Sequence, residues 1–380
     1  MNAIVKAVPA SRRLPFHVPH RSSRQAAYVG HVLSSGSLRP GGAFSREAEA
    51  WLVQHTGAEQ AILTHSCTGA MEMAALALGL GPGDEVIVPT FTFCATATAF
   101  ERAGARIVFC DIDPATMMID PEDLERRITR RTRAIVAVHY GGASADMEAI
   151  CAIARRHGVH VIEDAAQAFG STRGGRAPGT FSTFGAFSFH ETKVVSCGQG
   201  GALIVNAGDP ALLERVAMIV ERGTDHARVR SGEKAFYEWT SPGSSFQPGE
   251  FEAAILMAEF EALEENLAHR RRIATWMIER LERMALPFAI LRTDAATRSN
   301  FHFIAALARN EATAASLMAH LQSNGIDCRQ HYVPLHLSPA RGRWAMVHAR
   351  YPVPNKPGGV SCGCRFTRAC GRRMWNTALR

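Results

Sequence analysis

Residues 134–164 read AIVAVHYGGASADMEAICAIARRHGVHVIED, and this stretch decides the fold class. Residues 134–138 form a short apolar run. From Asp146 to His157 apolar residues recur at helical spacing, Gly158 stops the helix, and residues 159–162 form a second apolar run. Strand, helix, strand in this order is a βαβ unit, which predicts a mainly parallel sheet covered by helices. Ligands of such sheets sit beyond the carboxyl ends of the strands, so functional residues are sought there.

Further apolar runs at 85–88 and 106–109 extend the same pattern N-terminally. After residue 250 it changes. A long helical stretch covers 251–284, with Glu264, Glu265, Arg270, Arg271 and Arg272 on its polar faces, then a strand at 301–306 and a helix at 311–323. The expected organisation is an N-terminal extension (1–13), a large domain (14–250) and a smaller α+β domain (251–380). No internal repeat and no long Gly/Ser/Pro linker interrupts it.

The chain has 380 residues, 47% hydrophobic and 20% charged, which suits a globular protein that buries a sizeable core. Its net charge of +7 is unevenly distributed. Residues 1–46 carry 7 basic and no acidic side chains, residues 328–380 carry 10 and none, and the body between them stands at −10. Basic and aromatic residues are not interleaved as on a nucleic-acid surface, so no nucleic-acid partner is expected. Nine cysteines, an odd number, fit reduced thiols and a cytoplasmic location, and Cys362-Gly363-Cys364 lacks metal-ligand spacing. No metal site is expected. The longest apolar run, 74–80, is far short of the roughly 20 residues of a membrane span.

Only 4 lysines, Lys6, Lys193, Lys234 and Lys356, accompany 38 arginines. A lysine amine can be deprotonated and attack an aldehyde, which a guanidinium cannot, so each retained lysine is a candidate nucleophile. Lys193 follows the apolar run 184–187 and precedes Gly198-Gln199-Gly200-Gly201. Asp164 ends the run 159–162, where a carboxylate could hold a protonated pyridine nitrogen or simply cap a helix. Ser66-Cys67-Thr68-Gly69-Ala70 opens a helical pattern, and small and hydroxyl residues there make a phosphate seat or an ordinary cap. Phe91 and Phe93, in Pro89-Thr90-Phe91-Thr92-Phe93, offer an aromatic face to a planar ring or pack in the core.

An amine, an acid, an anion seat and a stacking ring in this order resemble a pyridoxal 5′-phosphate (PLP) enzyme. The segments EDAAQ (163–167), SFHETK (188–193), GSSF (243–246) and HYVPLH (331–336) make the resemblance specific. Over residues 14–353 the chain is similar to the DegT/DnrJ-type nucleotide-sugar aminotransferases. The resemblance implies the type I, aspartate aminotransferase fold, with a seven-stranded-type sheet sandwiched by helices. It further implies that Lys193 holds PLP as a Schiff base, Asp164 pairs with the pyridine nitrogen and Phe93 stacks on the ring. Gln167 would lie near the phenolic oxygen, and Ser188, Cys67 and Thr68 would bind the phosphate. Cys67 stands where the family commonly has Gly. Ser245 aligns with a residue that reaches the partner subunit's phosphate in a homodimer with active sites at the interface. His190, His331, Tyr332 and His336 are candidate substrate-side residues. The reaction implied is transfer of the amino group of L-glutamate to dTDP-4-dehydro-6-deoxy-D-glucose, giving dTDP-4-amino-4,6-dideoxy-D-galactose and 2-oxoglutarate. An aminotransferase for another dTDP- or UDP-linked 3- or 4-keto-sugar and a non-catalytic sugar-binding paralogue remain open alternatives. A PLP-type sugar dehydratase carries histidine where this chain has Lys193.

The resemblance stops after residue 353. From Pro354 the chain loses useful periodicity. Back-translated with G/C-rich codons and read two bases later, residues 354–376 give EQAGRRLLRLPFHAGLRAADVE for one allowed codon choice, which has the family's shape. A frameshift near residue 354 is therefore expected, and the basic excess of the C-terminal end belongs in part to it.

Overall fold

A computed structural model describes residues 13–339 and the backbone of a strand at Val360–Cys364. The expected frameshift otherwise lies outside the described residues. Seven strands build the main sheet: β1 (Gln60–Thr64), β2 (Glu85–Pro89), β3 (Arg106–Cys110), β4 (Thr132–Val138), β5 (His160–Asp164), β6 (Phe184–Ser188) and β7 (Gly201–Val205). Their order is β1-β7-β6-β5-β4-β2-β3. Strand β7 runs antiparallel to both its neighbours and all other pairs are parallel.

Side chains alternate along each strand, so one apolar run serves two cores. Val86 and Val88 of β2 face a cluster with Met71, Phe100 and Val216, whereas Ile87 faces one with Leu124, Met147 and Ile150. A third cluster joins Leu63, Phe187 and Ile204 to Leu52, Leu256 and Phe260. Phe100 is fully buried, and truncating such a ring to Ala costs about 3–5 kcal/mol.

The helix of the opening βαβ unit spans Met147–His157. Asp146 caps it by accepting from the Ala149 N–H at 3.1 Å, and Gly158 ends it at φ 65°, a conformation that suits glycine. Helix Ala43–Thr56 is capped from afar: the Glu250 carboxylate accepts from the N–H groups of Gly42 (3.0 Å), Phe44 (2.9 Å) and Ser45 (3.1 Å), and from the Ser45 hydroxyl. Further along that helix Glu49 accepts from the Leu63 N–H of β1 at 2.9 Å. Burial pushes its carboxyl up to about 7, against the Leu63 hydrogen bond and helped by the nearby Glu250 charge.

The stretch 251–284 forms two helices, Glu250–Glu261 and Leu263–Glu282, which meet at Ala262. The first packs into the main-sheet core through Ala253, Leu256 and Phe260. Ala274, Met277 and Leu281 of the second join a separate core with Ile304, Leu321 and Ile326. Packing therefore changes hands inside the second helix, beyond residue 250, because its first turns still cover the sheet. Leu14 also lies in this separate core, bridged to Ile326. The smaller sheet has the order Phe288–Ile290, Ile304–Ala308, Val360–Cys364, Arg329–His331, with helix Glu311–Ser323 beside it. The strand expected at 301–306 starts at Ile304 instead. Residues before it are held as a loop: the buried Asn300 amide donates to the carbonyls of Gln167 (3.0 Å) and Phe169 (2.8 Å), and Arg270 donates to those of Phe301 (2.7 Å) and His302 (2.9 Å). No helix among the described residues is long and apolar enough to cross a membrane.

Candidate active site

The carboxyl ends of β4, β5 and β6 open onto a cavity of about 410 Å³. Lys193, Asp164, Gln167, Ser188, Cys67, Thr68, Phe93, His190, His331 and Tyr332 all line it. Residues up to 265 positions apart in the chain are thus brought together where an open α/β sheet binds ligands.

Lys193 sits on the connection between β6 and β7, whose ends pair as Ser188 with Gly201. Backbone bonds from Phe189 N–H to the Gly200 carbonyl (2.8 Å), from Glu191 N–H to Gly198 (2.8 Å) and from Lys193 N–H to His190 (2.8 Å) fold the connection back on itself and hold the lysine half-buried at the rim. Gly201 admits no side chain: a Cβ there would lie 2.5 Å from both the Cys67 nitrogen and the Ser66 carbonyl carbon. The lysine loop and the Ser66–Cys67 turn can approach only because that position is glycine.

That turn begins helix Cys67–Ala77. Ser66 caps it, its hydroxyl accepting from the Gly69 N–H at 3.0 Å. The N–H groups of Cys67 and Thr68 have no acceptor within the helix and, with the helix dipole, favour an anion. Ser188 faces this seat across the cavity, and its hydroxyl also accepts from the His190 N–H at 3.4 Å.

Asp164 is 6% exposed. Its Oδ1 accepts from the Ala166 N–H at 3.2 Å in a turn rather than a helix cap, and its Oδ2 accepts from the Thr96 hydroxyl at 2.7 Å. The Cys67 sulfur lies 4.0 Å from Oδ1. Burial, and then the Asp164 charge, push the Cys67 thiol well above its usual range against the opposing effect of Lys193, so it stays neutral.

His331, at the end of a strand of the smaller sheet, and Tyr332 supply one wall. Gln167 ties it in place, its Oε1 accepting from the Gly141 N–H (2.8 Å) and its Nε2 donating to the Tyr332 hydroxyl (3.0 Å). Tyr332 stacks on His331, with centroids 4.5 Å apart, and His331 Nδ1 meets the Tyr140 hydroxyl at 3.2 Å. Phe93 lies across the cavity mouth, 58% exposed.

Two expected site residues lie elsewhere. His336 is 2% exposed and bonds the Thr90 hydroxyl outside the cavity lining, because the turn Leu335–Leu337 tucks beneath the wall. Ser245 is exposed and outside the lining, although the next residue, Phe246, accepts from the His65 N–H at 2.6 Å beside the anion seat. Thr92, Thr96 and Phe16 were not legible as site residues. Thr92 and Phe16 line the cavity and Thr96 backs Asp164, contacts that only the folded chain creates.

A neighbouring cavity of about 460 Å³ shares Lys193. Its His20 is bonded to Glu259 and its Arg270 to backbone carbonyls, and the Arg270 guanidinium, buried, is brought down to about 10. The cavity with the amine, the carboxylate and the anion seat is the one whose donor set fits PLP. A flat ring bearing an aldehyde, a basic nitrogen and a phosphate finds a partner there for each group.

Residues 19–355 match the model of the DegT/DnrJ/EryC1/StrS aminotransferase family. The chain is 38% identical over 267 residues to the spore coat polysaccharide biosynthesis protein SpsC of Bacillus subtilis, covering 69% of this chain and 67% of that one. It is 37% identical over 320 residues to a pleiotropic regulatory protein of Geobacillus stearothermophilus, covering 83% and 82%. The crystal structure of the aminotransferase TlmJ from Streptoalloteichus hindustanus superposes with a TM-score of 0.87 at 28% identity, over 97% of both chains. The chain belongs to the DegT/DnrJ/EryC1/StrS aminotransferase family and is a PLP-dependent aminotransferase of type I fold.

Proposed function

We propose that the protein transfers the amino group of L-glutamate to a nucleotide-linked keto-sugar, dTDP-4-dehydro-6-deoxy-D-glucose. The products are dTDP-4-amino-4,6-dideoxy-D-galactose and 2-oxoglutarate, and the amino sugar serves surface polysaccharide synthesis in the cytoplasm. The observation that carries the reading is the convergence of Lys193, Asp164 and the Cys67–Thr68 anion seat on one cavity. The polysaccharide role draws support from the likeness to SpsC.

PLP, when bound, supplies an electrophilic aldehyde and a ring that accepts electrons. In this reading the Lys193 amine would hold the cofactor at its aldehyde carbon and would serve as the base and acid that moves a proton at the donor's α-carbon. Asp164 holds the ring nitrogen protonated. Cys67, Thr68 and Ser188 bind the phosphate, the first through its backbone, which is why cysteine serves where glycine is common. Phe93 covers one ring face and Gln167 stands by the phenolic oxygen. His190, His331 and Tyr332 face the sugar, and the exposed Ser245 reaches the second active site of a homodimer. The small-domain wall keeps water from the reacting carbon.

The test is a two-stage absorbance experiment on the PLP-loaded protein. Glutamate alone should bleach the visible band, and dTDP-4-dehydro-6-deoxy-D-glucose should restore it where UDP-linked and 3-keto analogues do not. Restoration by an analogue alone reassigns the sugar, and no bleaching by glutamate reassigns the donor.

A further inference from the structure

The buried threonine pair behind Asp164 has no part in the roles above. Thr92 and Thr96 are 2% and 0% exposed, and their hydroxyl oxygens lie 2.8 Å apart. Thr96 Oγ1 lies 2.7 Å from Asp164 Oδ2, and an ionised carboxylate only accepts, so the Thr96 proton points to Asp164. The Thr92 hydroxyl then donates to Thr96, and the two form a directed chain ending on the carboxylate. The other oxygen, Oδ1, accepts from the Ala166 N–H. The carboxylate is thereby held from two sides, with its rotation fixed by groups from two different segments. In the helix Ala95–Glu101 a threonine hydroxyl ordinarily turns back to a carbonyl of its own helix, and here it is spent on the acid instead.

We propose that Thr96, oriented by Thr92, is a positioning residue for Asp164: it sets the carboxylate's rotation so that the acid meets the ring nitrogen of PLP. This rests on the Asp164 assignment made above. The ionisable groups that share the cavity with Thr92 and Asp164 are Cys67, at the Oδ1 side of Asp164, Lys193, His190, His302, His331 and Tyr332. Cys67 is neutral, so the carboxylate's orientation depends on hydrogen bonds rather than on a neighbouring thiolate.

Two substitutions separate positioning from packing. Thr96→Val keeps the volume and removes the hydroxyl, and Thr96→Ser keeps the hydroxyl and removes the methyl group. Each is purified with PLP, and two readouts besides turnover are taken: the dissociation constant of PLP from reconstitution of the apoprotein, and the pH midpoint of the visible band. A charged ring nitrogen stabilises the unprotonated form of the lysine linkage, so a carboxylate that no longer holds that proton moves the midpoint to higher pH. Thr96→Val should weaken PLP binding about tenfold and raise the midpoint, the loss expected when a buried acceptor loses a donor. Thr96→Ser should match the parent in both, and Thr92→Val should shift both in the same direction by less. A benign Thr96→Val, or a Thr96→Ser as damaged as Thr96→Val, overturns the proposal in favour of packing. Asp164→Asn is run alongside. If it changes neither readout, the Asp164 assignment itself fails; if it changes both while Thr96→Val changes neither, only the threonine inference fails. Should Thr96→Val not fold, the Thr96→Ser and Thr92→Val pair decides: parent-like serine with a shifted Thr92→Val supports positioning, and the reverse overturns it.

Discussion

Replacing Glu49 by glutamine should stabilise the protein at alkaline pH and leave it unchanged in acid. Burial raises the Glu49 carboxyl from 4.5 to about 7. A shift of that size corresponds to about 3 kcal/mol at 1.36 kcal/mol per unit, and the side chain's residual contact with water trims it to about 2 kcal/mol. The folded state binds the proton more tightly than the unfolded chain. Stability contributed by this group is therefore complete below pH 4.5 and is lost as pH rises through about 7. Glutamine imitates the protonated acid, and its amide oxygen can still accept from the Leu63 N–H. For a chain of 380 residues the unfolding entropy near the midpoint is about 0.8 kcal/mol/K, so about 2 kcal/mol raises Tm by about 2–3 °C. Thermal scans of parent and Glu49→Gln at pH 4 and pH 8 should show a difference only at pH 8. An equal difference at both values, or a less stable variant at pH 8, refutes the reasoning.

Three other changes probe the frame of the site. Gly201→Ala forces a methyl group against the Ser66–Cys67 turn, with contacts of 2.5 Å, and should cost about 1–3 kcal/mol in denaturant unfolding and weaken PLP retention on dialysis; parent-like retention would show that the turn can yield without cost. Glu250→Ala strips the N-terminus of helix Ala43–Thr56 of its acceptor and should lower unfolding free energy by about 2–4 kcal/mol, as seen in urea titrations, whereas Glu250→Gln should recover part of it. Tyr332→Phe keeps the ring against His331 but removes the acceptor of the Gln167 amide. It should change folding stability by under about 1.5 kcal/mol while raising KM for the keto-sugar; a KM equal to the parent's places the small-domain wall outside substrate contact.

Much of this architecture was readable before any coordinates. The apolar runs at 85–88, 106–109, 134–138 and 159–162 mark strands β2 to β5, the first three extended by one or two residues and the last shifted to 160–164, because strands buried on both faces announce themselves without alternation. Lys193 stood out through the scarcity of lysine, and Asp164 through its place at a strand end. Residues 301–303 were read as strand because apolar Phe301 and Phe303 fit the pattern, while the backbone of the loop 299–303 is satisfied by Asn300, Arg270 and Arg271, side chains whose reach no local pattern encodes. His336, expected on the substrate side from the HYVPLH segment, is buried outside the cavity lining, because five residues beyond His331 the chain has turned into the core. The hold of Thr96 on Asp164 spans 68 positions and was invisible to periodicity.

The central claim is that Lys193 is the residue that binds PLP. Lys234 is engaged by Asp225 at 2.5 Å and Glu238 at 2.6 Å, and Lys6 and Lys356 lie outside the described residues. Borohydride reduction of the PLP-loaded protein fixes the cofactor covalently to its lysine, and peptide mass mapping then locates it. The account predicts one phosphopyridoxyl group per chain, on the peptide containing Lys193. A label on Lys6, Lys234 or Lys356, or no label on a protein that retains PLP, would contradict it.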